Sequence, residues 1–135
     1  MNTEAVKHFH PTALSPLVKA YHVACAVETK SGEVFSGFCI ESSCGIVALC
    51  AERVAAINML VNSGEIVVKR LLVRREFPPG KDGGGGMPCG ACREFFMQLS
   101  SENKDMEIIV DFDNRKTVTL EEMLPRWWGW KRYNT

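Results

Sequence analysis

Cys50 and Glu52 stand two positions apart in the apolar run VALCAERVAA, residues 47–56, and Cys89 and Cys92 form a Cys-x-x-Cys behind Pro88 in MPCGACREFF, residues 87–96. A lone Cys-x-x-Cys is compatible with redox chemistry, with zinc, or with two unrelated cysteines. The third thiol, with a carboxylate beside it, narrows the choice. Cys50, Cys89 and Cys92 all fall at the start of predicted helices, where unpaired N–H groups and the peptide dipoles stabilise thiolates. Two such helix starts facing one another supply three sulfurs to one zinc ion. Three protein ligands leave the fourth tetrahedral position open to water, which is the arrangement of a catalytic rather than a structural site. Glu52, on the same turn as Cys50, is then placed to take a proton from that water and hand it to a substrate nitrogen.

Charge arithmetic adds a requirement. Zinc with three thiolates is formally negative, which weakens the metal's pull on water, so a nearby cation must compensate. Arg53 follows Glu52 and Arg93 follows Cys92, and each brings a guanidinium able to hydrogen-bond a ligand sulfur. The competing reading is a closed Cys₄ site without activity, with Cys39 or Cys44 as fourth ligand; it leaves Glu52 without a purpose. Taken singly, Cys25, Cys39 and Cys44 read as small packed apolar residues. His8, His10 and His22 lack metal-ligand spacing.

These residues need a scaffold. YHVACAVETKSGEVFSGFCIE predicts two strands, roughly 21–28 and 33–40, joined by a turn at Lys30-Ser31-Gly32. From Leu49 to Val61 the apolar residues recur at helical spacing, and Asn62-Ser63-Gly64 ends the segment. IVVKRLLVRRE supplies a third strand, CGACREFFMQLS a second helix and MEIIVDFD a fourth strand. TVTL forms a fifth strand after Asn114-Arg115-Lys116, and LEEMLP a short helical turn. The order β-β-α-β-α-β-β predicts an α/β protein with one five-stranded mixed sheet covered by helices on both faces. A short helix is expected after Thr3, but Pro11 and Pro16 keep residues 1–20 irregular. The stretch 78–88, PPGKDGGGGMP, reads as a flexible connector; it lacks the Gly-Lys-Ser/Thr ending of a phosphate-binding loop.

With 135 residues, 46% of them apolar and 24% charged, the chain is expected to be one domain with its own core. Sixteen basic residues balance sixteen acidic ones, so no strong field draws nucleic acid or an anionic membrane. Glu52 and Arg53 interrupt the longest apolar run, which excludes it as a membrane span. The first twenty residues hold no continuous apolar stretch, so no export signal is expected, and six cysteines then suit a reducing, cytoplasmic setting.

Cys-x-Glu followed by Pro-Cys-x-x-Cys matches the signature of zinc nucleobase deaminases, in which the glutamate is not a ligand. From about Tyr21 to Trp128 the sequence resembles the small cytidine deaminases, in particular their three-cysteine, tetrameric branch, most closely at CAER and PCGACR and also at FSGFCIES and LEEMLP. The resemblance implies a three-layer α/β/α sandwich, zinc on Cys50, Cys89 and Cys92, and a homotetramer acting on a small nucleoside. It makes Glu52 the proton shuttle as the amino group of a cytosine ring leaves as ammonia. It also implies substrate contacts from Tyr21, against the pyrimidine, from Glu41, on the ribose, and from Ala51. Cys39 stands where the family carries an asparagine that grips the ribose, and a thiol replaces a bidentate amide poorly. The tail LPRWWGWKRYNT, residues 124–135, supplies Trp128 as the aromatic that reaches a neighbouring subunit's site in tetrameric relatives. Blasticidin S deaminase is similar in its metal motifs and in its short aromatic tail, and acts on a cytosine nucleoside with a modified sugar. A polynucleotide-editing deaminase and a catalytically silent zinc protein are the readings from other classes.

Overall fold

The computed structural model describes residues 12–75 and 87–133. The helix expected after Thr3 and most of the glycine-rich stretch lie outside the described residues. Strand β1 spans Thr12–Ala13, β2 Val18–Thr29 and β3 Val34–Ser42. The predicted turn between β2 and β3 is present: Gly32 takes φ +98°, which a Cβ would strain, and Thr29 N donates to Glu33 O at 2.8 Å. Both strands run further than the sequence pattern indicated. Ser15 explains the early start of β2, because its Oγ accepts from the N–H groups of Leu17 and Val18, at 3.1 Å each, and reverses the chain around Pro16. Residues 12–20, expected to be irregular, thereby form a short hairpin.

The remaining elements are α1 (Ala51–Ser63), β4 (Val68–Arg75), α2 (Gly90–Leu99), β5 (Glu107–Asp111), β6 (Lys116–Thr119), α3 (Leu120–Met123) and α4 (Trp130–Tyr133). They build one mixed sheet in the order β3-β2-β4-β5-β6, with β1 beside the beginning of β2. Only β4 and β5 are parallel, as their connection through α2 requires. The sheet has six strands rather than five because of the two-residue β1.

Two contacts fix the helices over the sheet. At Gly37 of β3, an added Cβ would collide with the backbone of Ala51, Val54 and Ala55, so only glycine admits α1 this close. Ala51, Ala55 and Ala56 are fully buried there, above Cys25 and Val27. Helix α2 adds Phe96 and Met97 to the same core. Behind α2, the buried side chain of Asn103 accepts from Val68 N at 2.7 Å and donates to Ile66 O and Phe96 O at 2.9 and 2.8 Å. All its capacity toward these strands and helices is used, so the end of α2 and the start of β4 are tied together without an unpaired buried group.

Candidate metal centre and cleft

Cys50 and Cys89 are the residues immediately before α1 and α2, both in extended backbone, φ −73° and −70°. Cys92 lies one turn into α2 and is fully buried. The sulfurs of Cys50 and Cys89 are 3.6 Å apart, those of Cys89 and Cys92 3.5 Å. A tetrahedral ion with sulfur at 2.3 Å requires sulfur–sulfur edges of about 3.8 Å, so the donor set suits one small cation with little adjustment. Among the described residues, no other histidine, cysteine or carboxylate joins the three within 4.8 Å of one another. Neither Cys39 nor Cys44 therefore closes the site.

Glu52 is 4% exposed, with Oε2 3.8 Å from Cys92 Sγ. Burial raises its carboxyl above the usual range; its own backbone N–H, Arg75, Cys92 and Arg53 oppose this without cancelling it. Beneath it, burial and the charges of Glu52 and Cys92 hold the Cys25 thiol well up, so Cys25 is a packed neutral group. The Cys92 thiol is likewise pushed up, by burial first and then by Glu52. Cys89 differs: burial acts to raise it, but hydrogen bonds led by the Cys92 backbone N–H outweigh that and hold it below the ordinary thiol range.

The two arginines part company. Arg53 Nη2 donates to Cys50 Sγ at 3.6 Å, the contact expected of a counterion to a sulfur cluster. Arg93 turns instead to the backbone, donating from Nε to Pro88 O at 2.8 Å, and so holds the chain leading into Cys89 rather than a sulfur.

A cleft of about 330 Å³ opens beside the cluster, lined on one wall by Cys50, Ala51, Glu52 and Arg53 and on the other by Val23, Cys39, Glu41 and Arg75. Cys39 is 7% exposed and its sulfur already accepts from Val23 N at 3.3 Å. Glu41 Oε2 lies 3.8 Å from His22 Nε2.

No family model matches the chain. A blasticidin-S deaminase of Bacillus cereus is 30% identical over 108 residues, which span 78% of this chain and 75% of that protein. The chain belongs to the family of blasticidin-S and cytidine deaminases. A cytidine deaminase of Mycoplasma pneumoniae is 28% identical over 121 residues, 90% of this chain and 84% of that one. In three dimensions the cytidine deaminase of Mycobacterium tuberculosis superposes with a TM-score of 0.66 at 23% identity, covering 94% of this chain and 90% of that chain. The architecture is the cytidine deaminase fold.

Neither Tyr21 nor Trp128, which the resemblance brings to substrate, lines the cleft of its own chain. Tyr21 sits in the bulge that breaks the β2–β3 register between Ala20 and Ala24, with φ +72°, and its ring packs on Phe38 at 4.3 Å, outside the lining of the cleft. Phe38 and Cys39 are adjacent on β3 and so face opposite sides of the sheet. Trp128 belongs to a knot on α2: Trp127 Nε1 and Trp128 Nε1 donate to the two carboxylate oxygens of Glu94, at 2.8 and 2.7 Å. Trp127 is 8% exposed and takes Trp130 edge-on at 5.3 Å, while Trp128 remains 60% exposed. The tail tryptophans are thus partly covered within the chain. Val23 and Arg75, absent from the sequence reading, complete the cleft. Their signal was the pairing of β2 with β4, which sets Val23 opposite Arg75 and which periodicity alone does not specify.

Proposed function

We propose that this chain is a zinc-dependent hydrolytic deaminase of a cytosine nucleoside or close analogue, releasing ammonia and leaving the oxo product. The observation that carries the reading is the convergence of three sulfurs with a buried glutamate at the edge of a cleft, and with no fourth protein ligand among the described residues. Cys50, Cys89 and Cys92 would hold the zinc, which when bound supplies a Lewis acid that makes water acidic enough to attack near neutral pH. Glu52 takes the proton released by the attacking water, delivers it to the ring nitrogen beside the amino-bearing carbon, and then assists departure of the amine. One carbon–oxygen bond forms and one carbon–nitrogen bond breaks; of the two protons of the water, one stays on the ring nitrogen of the oxo product and the other leaves with ammonia. Burial suits Glu52 to this shuttle, because a carboxyl raised above its usual range holds a proton more readily. Arg53 draws negative charge from the sulfurs and so preserves the ion's pull on water.

A nucleoside with a modified sugar, as in the blasticidin-S deaminase named above, is favoured by one feature: the Cys39 sulfur is engaged by Val23 N–H and offers no amide to a ribose. A homotetramer in the cytoplasm is the accompanying reading. It is supported by the resemblance and by the exposed apolar residues Leu14, Leu17, Ile46 and Val47, which a second copy would cover. Ammonia release measured with cytidine, deoxycytidine, cytosine and blasticidin S, beside a Glu52→Ala control, tests the activity; zinc-loaded protein inert on all four refutes it. Sedimentation tests the assembly, and an active monomer at high dilution contradicts the tetramer.

A further inference from the structure

Strand register lays out the cleft floor in rows. Cys25 of β2 pairs with Gly37 of β3 and Val73 of β4. This inner row is apolar and buried, and its central thiol feels the charges of both Glu52 and Cys92. Two residues along β2, Val23 pairs with Arg75 on one side, and on the other its N–H reaches Cys39 Sγ. Side chains two apart on a strand share a face and stand about 7 Å from one another. The row Cys39–Val23–Arg75 therefore lies one step out from the sulfur cluster, toward the open end, and Arg75 is exposed where Val73 is buried.

The outer row is thiol, aliphatic, guanidinium. Cys39 is engaged by Val23, and Arg53, the other arginine lining the cleft, is directed to Cys50. On the same wall Glu41 has His22 beside it. Among the described residues Arg75 makes no side-chain hydrogen bond or close ion pair, although its charge is felt by the Glu52 carboxyl. A planar cation with five donors that lines a ligand cleft, beside two groups that offer no sugar-binding amide, is matched chemically by an oxyanion.

We propose that Arg75 is a specificity-determining residue whose guanidinium holds an oxyanion, carboxylate or phosphate, carried on the sugar side of the pyrimidine nucleoside. The proposal rests on the deaminase reading of the cleft but is testable without turnover. Zinc-loaded protein is titrated calorimetrically with uridine, with uridine 5′-monophosphate as the phosphate arm, and with the 5′-carboxylate of uridine as the carboxylate arm. At least one anionic ligand is expected to bind about tenfold or more tightly than uridine, as one charge-assisted pair implies. The arm that does so identifies the source of the oxyanion. Arg75→Gln removes that preference and Arg75→Lys keeps part of it, and added salt shrinks it in the unmodified protein. No anionic preference in the unmodified protein, or the same preference in Arg75→Gln, overturns the proposal. So does an equal loss of affinity for all three ligands, which would mark Arg75 as a counterion to Glu52. Absence of ammonia release from any aminopyrimidine nucleoside defeats the deaminase reading instead, and ammonia release without anionic preference defeats the Arg75 assignment alone. If none of the three ligands binds, the Arg75 assignment fails and ammonia release alone decides the deaminase reading.

Discussion

Glu52 Oε2 and Cys92 Sγ, carried on different helices, meet at 3.8 Å in a corner from which bulk water is nearly excluded. Glu52→Gln preserves the size of the side chain but cannot cycle a proton. Ammonia release from the accepted nucleoside is expected to fall by about a hundredfold to ten-thousandfold, the range for loss of a positioned acid–base group. Zinc content and thermal midpoint, measured on the same sample, should be retained. A variant that keeps both metal and turnover removes Glu52 from the reaction.

The same carboxyl carries a pH signature in chelator-treated protein. Burial raises the folded-state pKa of Glu52 above its unfolded value. The stability linked to this group is thus fully present below the unfolded carboxyl pKa and is lost as pH rises through the raised folded one. Glu52→Gln lacks that loss. Urea titrations at about pH 4 and about pH 7 should show the variant gaining stability relative to the parent at the higher pH. Parallel pH profiles would mean that the carboxylate is not strained by its surroundings.

Metal content separates the three converging thiols from the others. Cys50→Ser, Cys89→Ser and Cys92→Ser should each bind zinc at least about tenfold more weakly, since a soft thiolate donor is lost. Cys39→Ser and Cys44→Ser should leave about one zinc per chain after dialysis, because neither sulfur belongs to the cluster. Loss of zinc in either of the last two would revive the closed Cys₄ site.

The sulfur cluster was legible because helix starts are local: a cysteine before an amphipathic run and a Pro-Cys-x-x-Cys each announce a helix N-terminus, and two of them invite a shared ion. The strands 21–28 and 33–40 were legible from alternation, and their turn from Gly32. What alternation could not give was pairing across the sheet, so Arg75 opposite Val23 went unread. Strand β1 was missed because two residues carry no period and Ser15-Pro16 looks like a breaker rather than a hairpin turn. The anchoring of the tail was not legible, for a different reason. Three tryptophans in eleven residues suggest an exposed patch, and only the position of Glu94 on α2 explains why two indoles fold back.

Gly37 couples the sheet to the site. Gly37→Ala places a methyl against the backbone of Ala51 and Ala55, atoms that cannot swing aside as a side-chain tip would. Helix α1 must lift, at a cost of about 1–3 kcal/mol of stability for such overpacking. Because Ala51 directly follows Cys50, the shift should also weaken zinc binding. Urea unfolding and zinc competition with a chelator check the two effects together. A variant with parental stability and affinity would show that α1 is not seated by this contact.

Glu94 is the remaining test, since it holds the tail to the helix that carries two of the thiols. Burial pushes its carboxyl up, but the hydrogen bonds from Trp128, Trp127 and Gln98 together outweigh it and hold the group below the usual carboxylate range. A depressed folded-state pKa means that this contribution is present above the unfolded carboxyl pKa and is lost as pH falls through the folded one. Glu94 is partly exposed, so Glu94→Ala should cost only about 1 kcal/mol after screening. Fluorescence should report it more sharply than stability does: the tryptophan emission of the variant at neutral pH is expected to shift to the red and toward that of the parent protein in acid. Emission unchanged from the parent would mean that ring packing among Trp127, Trp130 and Tyr133 holds the tail without the carboxylate.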